Sequence, residues 1–125
     1  MDKGDIMDTT VKHELKVRSD SCCELCGSSN NLRVFKVEPS LGSIDDSIII
    51  CSECEEQILD ESKLDANHWH CLNETIWSDV PAIQVMAYRI LRKIDNHEWS
   101  RNLLDMLYLE DEVMSWAENT NKFKN

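Results

Sequence analysis

Over the last third of the chain, apolar positions recur at helical spacing. Ile83, Met86, Ala87, Ile90, Leu91 and Ile94 form one stripe, with Arg89, Arg92 and Lys93 mainly off it. Pro81 suits the first turn of this helix, with Ser78-Asp79 as its cap. Asp95-Asn96 then caps a second helix predicted over residues 97–107, with Trp99, Leu103, Met106 and Leu107 in register. A third starts at Glu110, where Glu110-Asp111-Glu112 complements the helix dipole and Val113, Trp116 and Ala117 give the apolar face.

Upstream the pattern shortens to the period of strands. Residues 32–38 alternate, and residues 47–51 are β-branched through their middle, so both are predicted strands. Pro39, Gly42 and Asp45-Asp46 mark the loop that joins them into a hairpin. Before the hairpin, a short helix is predicted over residues 11–18, capped by Asp8 or Thr9, with Val11, Leu15 and the Arg18 methylenes on one side. Ser19-Asp20-Ser21 ends it. After the hairpin, Glu55 to Leu59 favours helix, and 60–65 is an acidic linker. The expected fold is therefore α+β. A disordered N-terminus (1–10) precedes a small hairpin module (11–62), a unit of about three helices (63–118) and a frayed end (119–125).

Two Cys-x-x-Cys pairs frame the hairpin: Cys23-Glu24-Leu25-Cys26, followed by Gly27, and Cys51-Ser52-Glu53-Cys54. Two residues between cysteines let a tight turn aim both sulfurs at one point, and two such turns close a tetrahedral site. Cys23, Cys26, Cys51 and Cys54 are thus the expected ligands of one structural Zn²⁺. Cys22 could take the place of Cys23, but Cys23 is preferred because only it leaves two residues before Cys26. A helix starting inside the second pair makes the site treble-clef-like; a third strand there makes it a zinc ribbon. A redox Cys-x-x-Cys needs a βαβ context that is absent here. Such a module carries little apolar material, so the metal is expected to supply most of its stability.

Composition narrows the function. The 125 residues are 42 % hydrophobic, enough for a folded core, and carry a net charge of −11. Residues 1–78 hold 7 Lys/Arg against 16 Asp/Glu, and four thiolates on one Zn²⁺ add two more negative charges. Nucleic-acid binding rests on cationic neutralisation of phosphates, so it is not expected. No signal peptide or membrane-length apolar run is visible, which points to the cytoplasm, where thiols stay reduced.

Outside the cysteine pairs the densest chemistry is His68-Trp69-His70-Cys71. A second metal there would need more ligands than Asp65 and Glu74 supply, so packing roles are expected. Trp69, Trp77, Trp99 and Trp116 are expected in the core of the helical unit. Arg89, Arg92 and Lys93 are expected on a solvated helix face. No nucleotide loop or nucleophile elbow is present, and no catalytic residue is assigned.

Several stretches together resemble the PhnA family, named for a gene in bacterial alkylphosphonate-utilisation operons. They are Cys23-Glu24-Leu25-Cys26-Gly27, Ile50-Cys51-Ser52-Glu53-Cys54, Leu64-Asp65-Ala66-Asn67-His68-Trp69-His70-Cys71-Leu72, Trp77-Ser78-Asp79-Val80-Pro81-Ala82-Ile83-Gln84-Val85 and Leu103-Leu104-Asp105-Met106-Leu107-Tyr108-Leu109. The resemblance covers about residues 11–118. It implies a zinc-ribbon-type N-terminal part with Cys23, Cys26, Cys51 and Cys54 as ligands, without the β-rich C-terminal domain that members often carry. No phosphonate site is visible. The cysteine frame is also similar to zinc-containing HNH endonucleases. Phe35 and Lys36 stand where those enzymes have a histidine pair, and Glu55 or Glu56 where they have another, so a shared ancestry implies a catalytically dead copy. The expected function is a structural-zinc module acting through a protein partner or self-association, with no small-molecule ligand assigned. The alternative is a metal-dependent hydrolase using His68 and His70, or a degenerate HNH-type relative.

Overall fold

The computed structural model describes residues 3–40 and 44–119. The chain runs α1 (Lys3–Ser19), β1 (Arg33–Lys36), β2 (Ser47–Ile50), α2 (Ser52–Leu59), α3 (Leu72–Thr75), α4 (Pro81–Lys93), α5 (Glu98–Met106) and α6 (Asp111–Glu118). Short 3₁₀ turns lie at Ile44–Asp46, Glu61–Lys63 and His68–Cys71. The described residues therefore hold six helices where a unit of about three was expected. Three of the six are the predicted α4, α5 and α6. α1 and α2 answer to the helices expected in the hairpin module, and only the single turn α3, which carries no periodic pattern of its own, was not expected.

α1 is longer than the predicted 11–18 and takes in most of the segment expected to be disordered. Leu15 anchors it, fully buried, and each residue added to a formed helix costs little. It ends where Asp20 and Ser21 adopt φ of 58° and 59°, with Ser21 N–H donating to Lys16 O. The frayed end expected from residue 119 lies outside the described residues beyond Asn119.

The two strands pair antiparallel, with Arg33 opposite Ile50 and Lys36 opposite Ser47. All four β2 residues are buried because α1 packs on the hairpin and α4 also reaches β2. That explains the continuous Ile48-Ile49-Ile50 run: a strand covered on both faces needs no polar alternation. α4 is the central helix and packs on α3, α5, α6 and β2. Its expected stripe is buried, and Ala82 and Val85 are buried too, so its apolar arc is wider than a surface helix needs. Its N-cap is Val80 rather than Ser78 or Asp79. The Ser78 hydroxyl accepts from Val80 N–H at 3.1 Å and Gln84 donates to Ser78 O at 2.9 Å. His97, rather than Asp95 or Asn96, caps α5.

One apolar core joins the hairpin to the helices, from Leu25, Ile48 and Ile50 through Trp69 and Leu72 to Leu91 and Ala117. Trp69 is wholly buried, while Trp99 and Trp116 are partly buried against this core. Trp77 departs from expectation and is 67 % exposed, because it falls in the turn between α3 and α4. Trp116 spans the two halves, its indole N–H donating to Val37 O at 3.1 Å.

Candidate metal centre

The first cysteine pair sits in a tight turn. Gly27 N–H donates to Cys23 O at 2.9 Å, and Gly27 adopts φ +85°. A Cβ at Gly27 would meet nothing within 4 Å, so the demand for glycine comes from the backbone angle alone. The turn aims the amides of Leu25 and Cys26 at Cys23 Sγ, each at 3.4 Å. The second pair sits at the start of α2: Cys51 is its N-cap and Cys54 lies in its first turn. Thiolates there face the positive end of the helix dipole.

Strand pairing and one buried ion pair bring the two turns together. Glu24 N–H donates to Ile49 O, and Ile49 N–H donates to Glu24 Oε2, both at 2.9 Å. Arg18 clamps the same carboxylate through Nε at 2.7 Å and Nη2 at 2.8 Å. It also donates to Ile44 O and Ser47 O. Arg18 and Glu24 had no expected role here. Both are visible in the sequence, but the pair closes only because Asp20 and Ser21 reverse the chain between them.

The four sulfurs all lie within 4.8 Å of one another. Cys23 and Cys54 are 3.7 Å apart, Cys26 and Cys51 3.6 Å. These distances are far beyond a disulfide bond and near the roughly 3.8 Å edge of a tetrahedron with Zn–S of about 2.3 Å. All six cysteines are free thiols. Cys23, Cys51 and Cys54 are buried and Cys26 is half-buried, so protein closes the set. Without metal the cluster cannot be fully ionised. A sulfur–sulfur hydrogen bond with Cys54 pulls the Cys23 thiol down to about 4, whereas burial pushes Cys26 up to about 12. The same hydrogen bond and burial push Cys54 up further still.

Cys22 stays outside the cluster, its thiol 3.5 Å from Asp20 O. Cys71 is also outside it, with burial pushing its thiol up to about 11. His68 and His70 do not converge. His68 Nε2 lies 3.3 Å from Cys54 Sγ, and its Nδ1 lies 2.9 Å from Glu53 Oε2. His70 instead stacks on Trp99 with centroids 3.9 Å apart. The cause is the 3₁₀ turn at His68–Cys71, whose roughly 120° per residue splays positions 68 and 70. Among the described residues no other group of three or more His, Cys, Asp or Glu could hold a metal. Glu55, at a position of the HNH comparison, is ion-paired with Arg33 at 2.8 Å.

His68 thus braces one sulfur of the cluster while Glu53, from inside the second cysteine pair, orients the ring. Such supports around a metal's ligands typically contribute about 10–100-fold in affinity. His68→Ala is expected to lower metal affinity by about that factor with the helical content unchanged. Competition with a chromogenic chelator measures it, and an unchanged affinity would show that the ring merely packs there.

No family model, curated protein or solved structure matches this chain. Among the described residues no helix is long and apolar enough to cross a membrane.

Proposed function

We propose that the protein is a non-enzymatic zinc-binding module in which Cys23, Cys26, Cys51 and Cys54 hold one structural Zn²⁺ in a treble-clef-like arrangement. The observation that carries this reading is the set of four sulfurs within 4.8 Å of one another, two pairs of them 3.7 and 3.6 Å apart, with a helix beginning inside the second pair. Four thiolates favour Zn²⁺ over harder cations and leave no position for a substrate or a reactive water. Among the described residues no observation favours the hydrolase reading, which needed His68 and His70 in one cleft. Kinship with the PhnA family belongs to this proposal and rests on the sequence stretches alone.

Metal analysis of protein purified under reducing conditions tests the reading. One zinc per chain is expected, and less than about half an equivalent would overturn it. The pH dependence gives an independent check. Zinc must displace protons from Cys26, raised to about 12, and from Cys54, raised further, and both thiols are protonated at neutral pH. Each displaced proton weakens apparent affinity tenfold per unit of falling pH. Affinity is therefore expected to rise with pH and to fall by about hundredfold or more from pH 7 to pH 6. A change below about threefold would mean that thiolates are not the ligands.

A further inference from the structure

A second site is lined by none of the four cysteines. It is a cleft of about 550 Å³ between β1, the segment after α2, α4 and the end of α6. That volume falls in the range of small-molecule sites. Helical spacing builds one wall, because Met86, Arg89, Ile90 and Lys93 share a face of α4. Phe35 and Ile58, both half-buried, and Leu64 add apolar surface from the hairpin side.

The charges around this apolar floor are unlike those of the rest of the chain. The lining holds four cations, Lys36, Arg89, Arg92 and Lys93, against three carboxylates, Glu38, Glu61 and Glu118. The whole chain holds 13 against 24. Arg89 is fixed in place: its Nε donates to Ala117 O at 3.0 Å and its Nη2 to Trp116 O at 2.7 Å, at the C-terminal end of α6. Those bonds leave Nη1 without a partner among the described residues. Lys93 reaches across the mouth to Glu61 at 3.3 Å. Arg92 lies over the Tyr88 ring at 5.9 Å, and neither it nor Lys36 has a carboxylate partner among the described residues.

We propose that this cleft binds a small amphiphilic anion, an apolar body bearing one carboxylate or phosphate group. Arg92 and Lys36 receive the anionic group at the rim, and Phe35, Ile58 and Met86 cover the body. Exposed cations hold a bare anion weakly, so the apolar body has to supply the remaining affinity. A polyanion is disfavoured by the net charge of −11 carried by the whole chain, which counts against nucleic acid as the occupant. The site is separate from the four cysteines, so it stands or falls independently of the zinc reading.

The test is a fluorescence titration of 8-anilinonaphthalene-1-sulfonate into the full-length, metal-loaded protein, with zinc content measured on the same sample. Saturable one-to-one binding is expected. Octanoate and octyl phosphate are expected to displace the dye, and their relative strengths distinguish a carboxylate from a phosphate ligand. Acetate and inorganic phosphate at equal concentration are expected to leave it bound. The double variant Lys36→Gln/Arg92→Gln changes only exposed side chains and is expected to weaken binding about tenfold or more, with unchanged zinc content and circular dichroism. Arg101→Gln, an exposed α5 change away from the cleft, is expected to have no effect. Absence of saturable binding overturns the proposal. So does a double variant that binds as well as the original, or displacement by acetate as effective as by octanoate.

Discussion

If the four cysteines hold zinc as proposed, replacing Cys54 with serine is expected to release it and leave the protein without a cooperative thermal transition. Structural zinc in small tetrahedral sites contributes about 10–16 kcal/mol at neutral pH, whereas a domain of this size has a net stability of about 5–15 kcal/mol. Losing the metal therefore removes the margin outright. The structure makes the effect global rather than local. Cys54 is wholly buried in the second pair, and the apolar core runs without a break from the knuckle and β2 into α4. Unfolding the hairpin would expose the α4 side chains that it covers. Circular dichroism melts of Cys54→Ser and of the original protein with a strong chelator should agree. A Cys54→Ser protein that melts cooperatively near the original temperature would show that the core, not the metal, holds the fold.

Glu24→Ala is expected to cost about 1–3 kcal/mol, the penalty for removing one partner of a partly buried, hydrogen-bonded ion pair. The Glu24 side chain is only 3 % exposed and accepts from Arg18 twice and from Ile49 N–H once. Alanine leaves the Arg18 guanidinium, 23 % exposed, with only the Ile44 and Ser47 carbonyls, and leaves the Ile49 backbone donor of β2 without its partner. The same carboxylate pins the first cysteine turn to the strand that leads into Cys51, so metal affinity should fall together with stability. Chemical denaturation measures the first and chelator competition the second. Exchanging both partners for apolar residues, Arg18→Met with Glu24→Leu, should cost less than Glu24→Ala alone, because no charge is then left buried and unpaired. A loss below about 1 kcal/mol for Glu24→Ala would reduce the pair to a surface contact.

Much of the local structure was legible because it follows from short-range rules. The α4 stripe from Ile83 to Ile94, the β-branched run at Ile48-Ile49-Ile50 and the Cys-x-x-Cys spacing each express one periodicity or one turn geometry. The helix after Cys51 was readable from propensity, since Glu55 to Leu59 contains no glycine or proline. The misreadings share a cause as well. Spacing on the predicted helices suggests a core place for Trp77, yet its position in a turn leaves it in solvent. The N-terminal helix exceeds the predicted 11–18 because its polar first half carries no periodic signal, whereas Leu15, in the predicted part, is fully buried.

The sequence by itself determined the four candidate ligands, the hairpin between them and the helical half, because spacing and periodicity are properties of a chain segment and survive without neighbours. Only the tertiary structure decided what surrounds them. It set Arg18 on Glu24 beneath the first cysteine turn, and His68 on Cys54 while sending His70 to Trp99. It also gathered Lys36, Arg89 and Arg92 around one cleft. Those pairings link segments whose approach depends on the path of the whole backbone, and a path fixed by long-range packing leaves no local pattern to read.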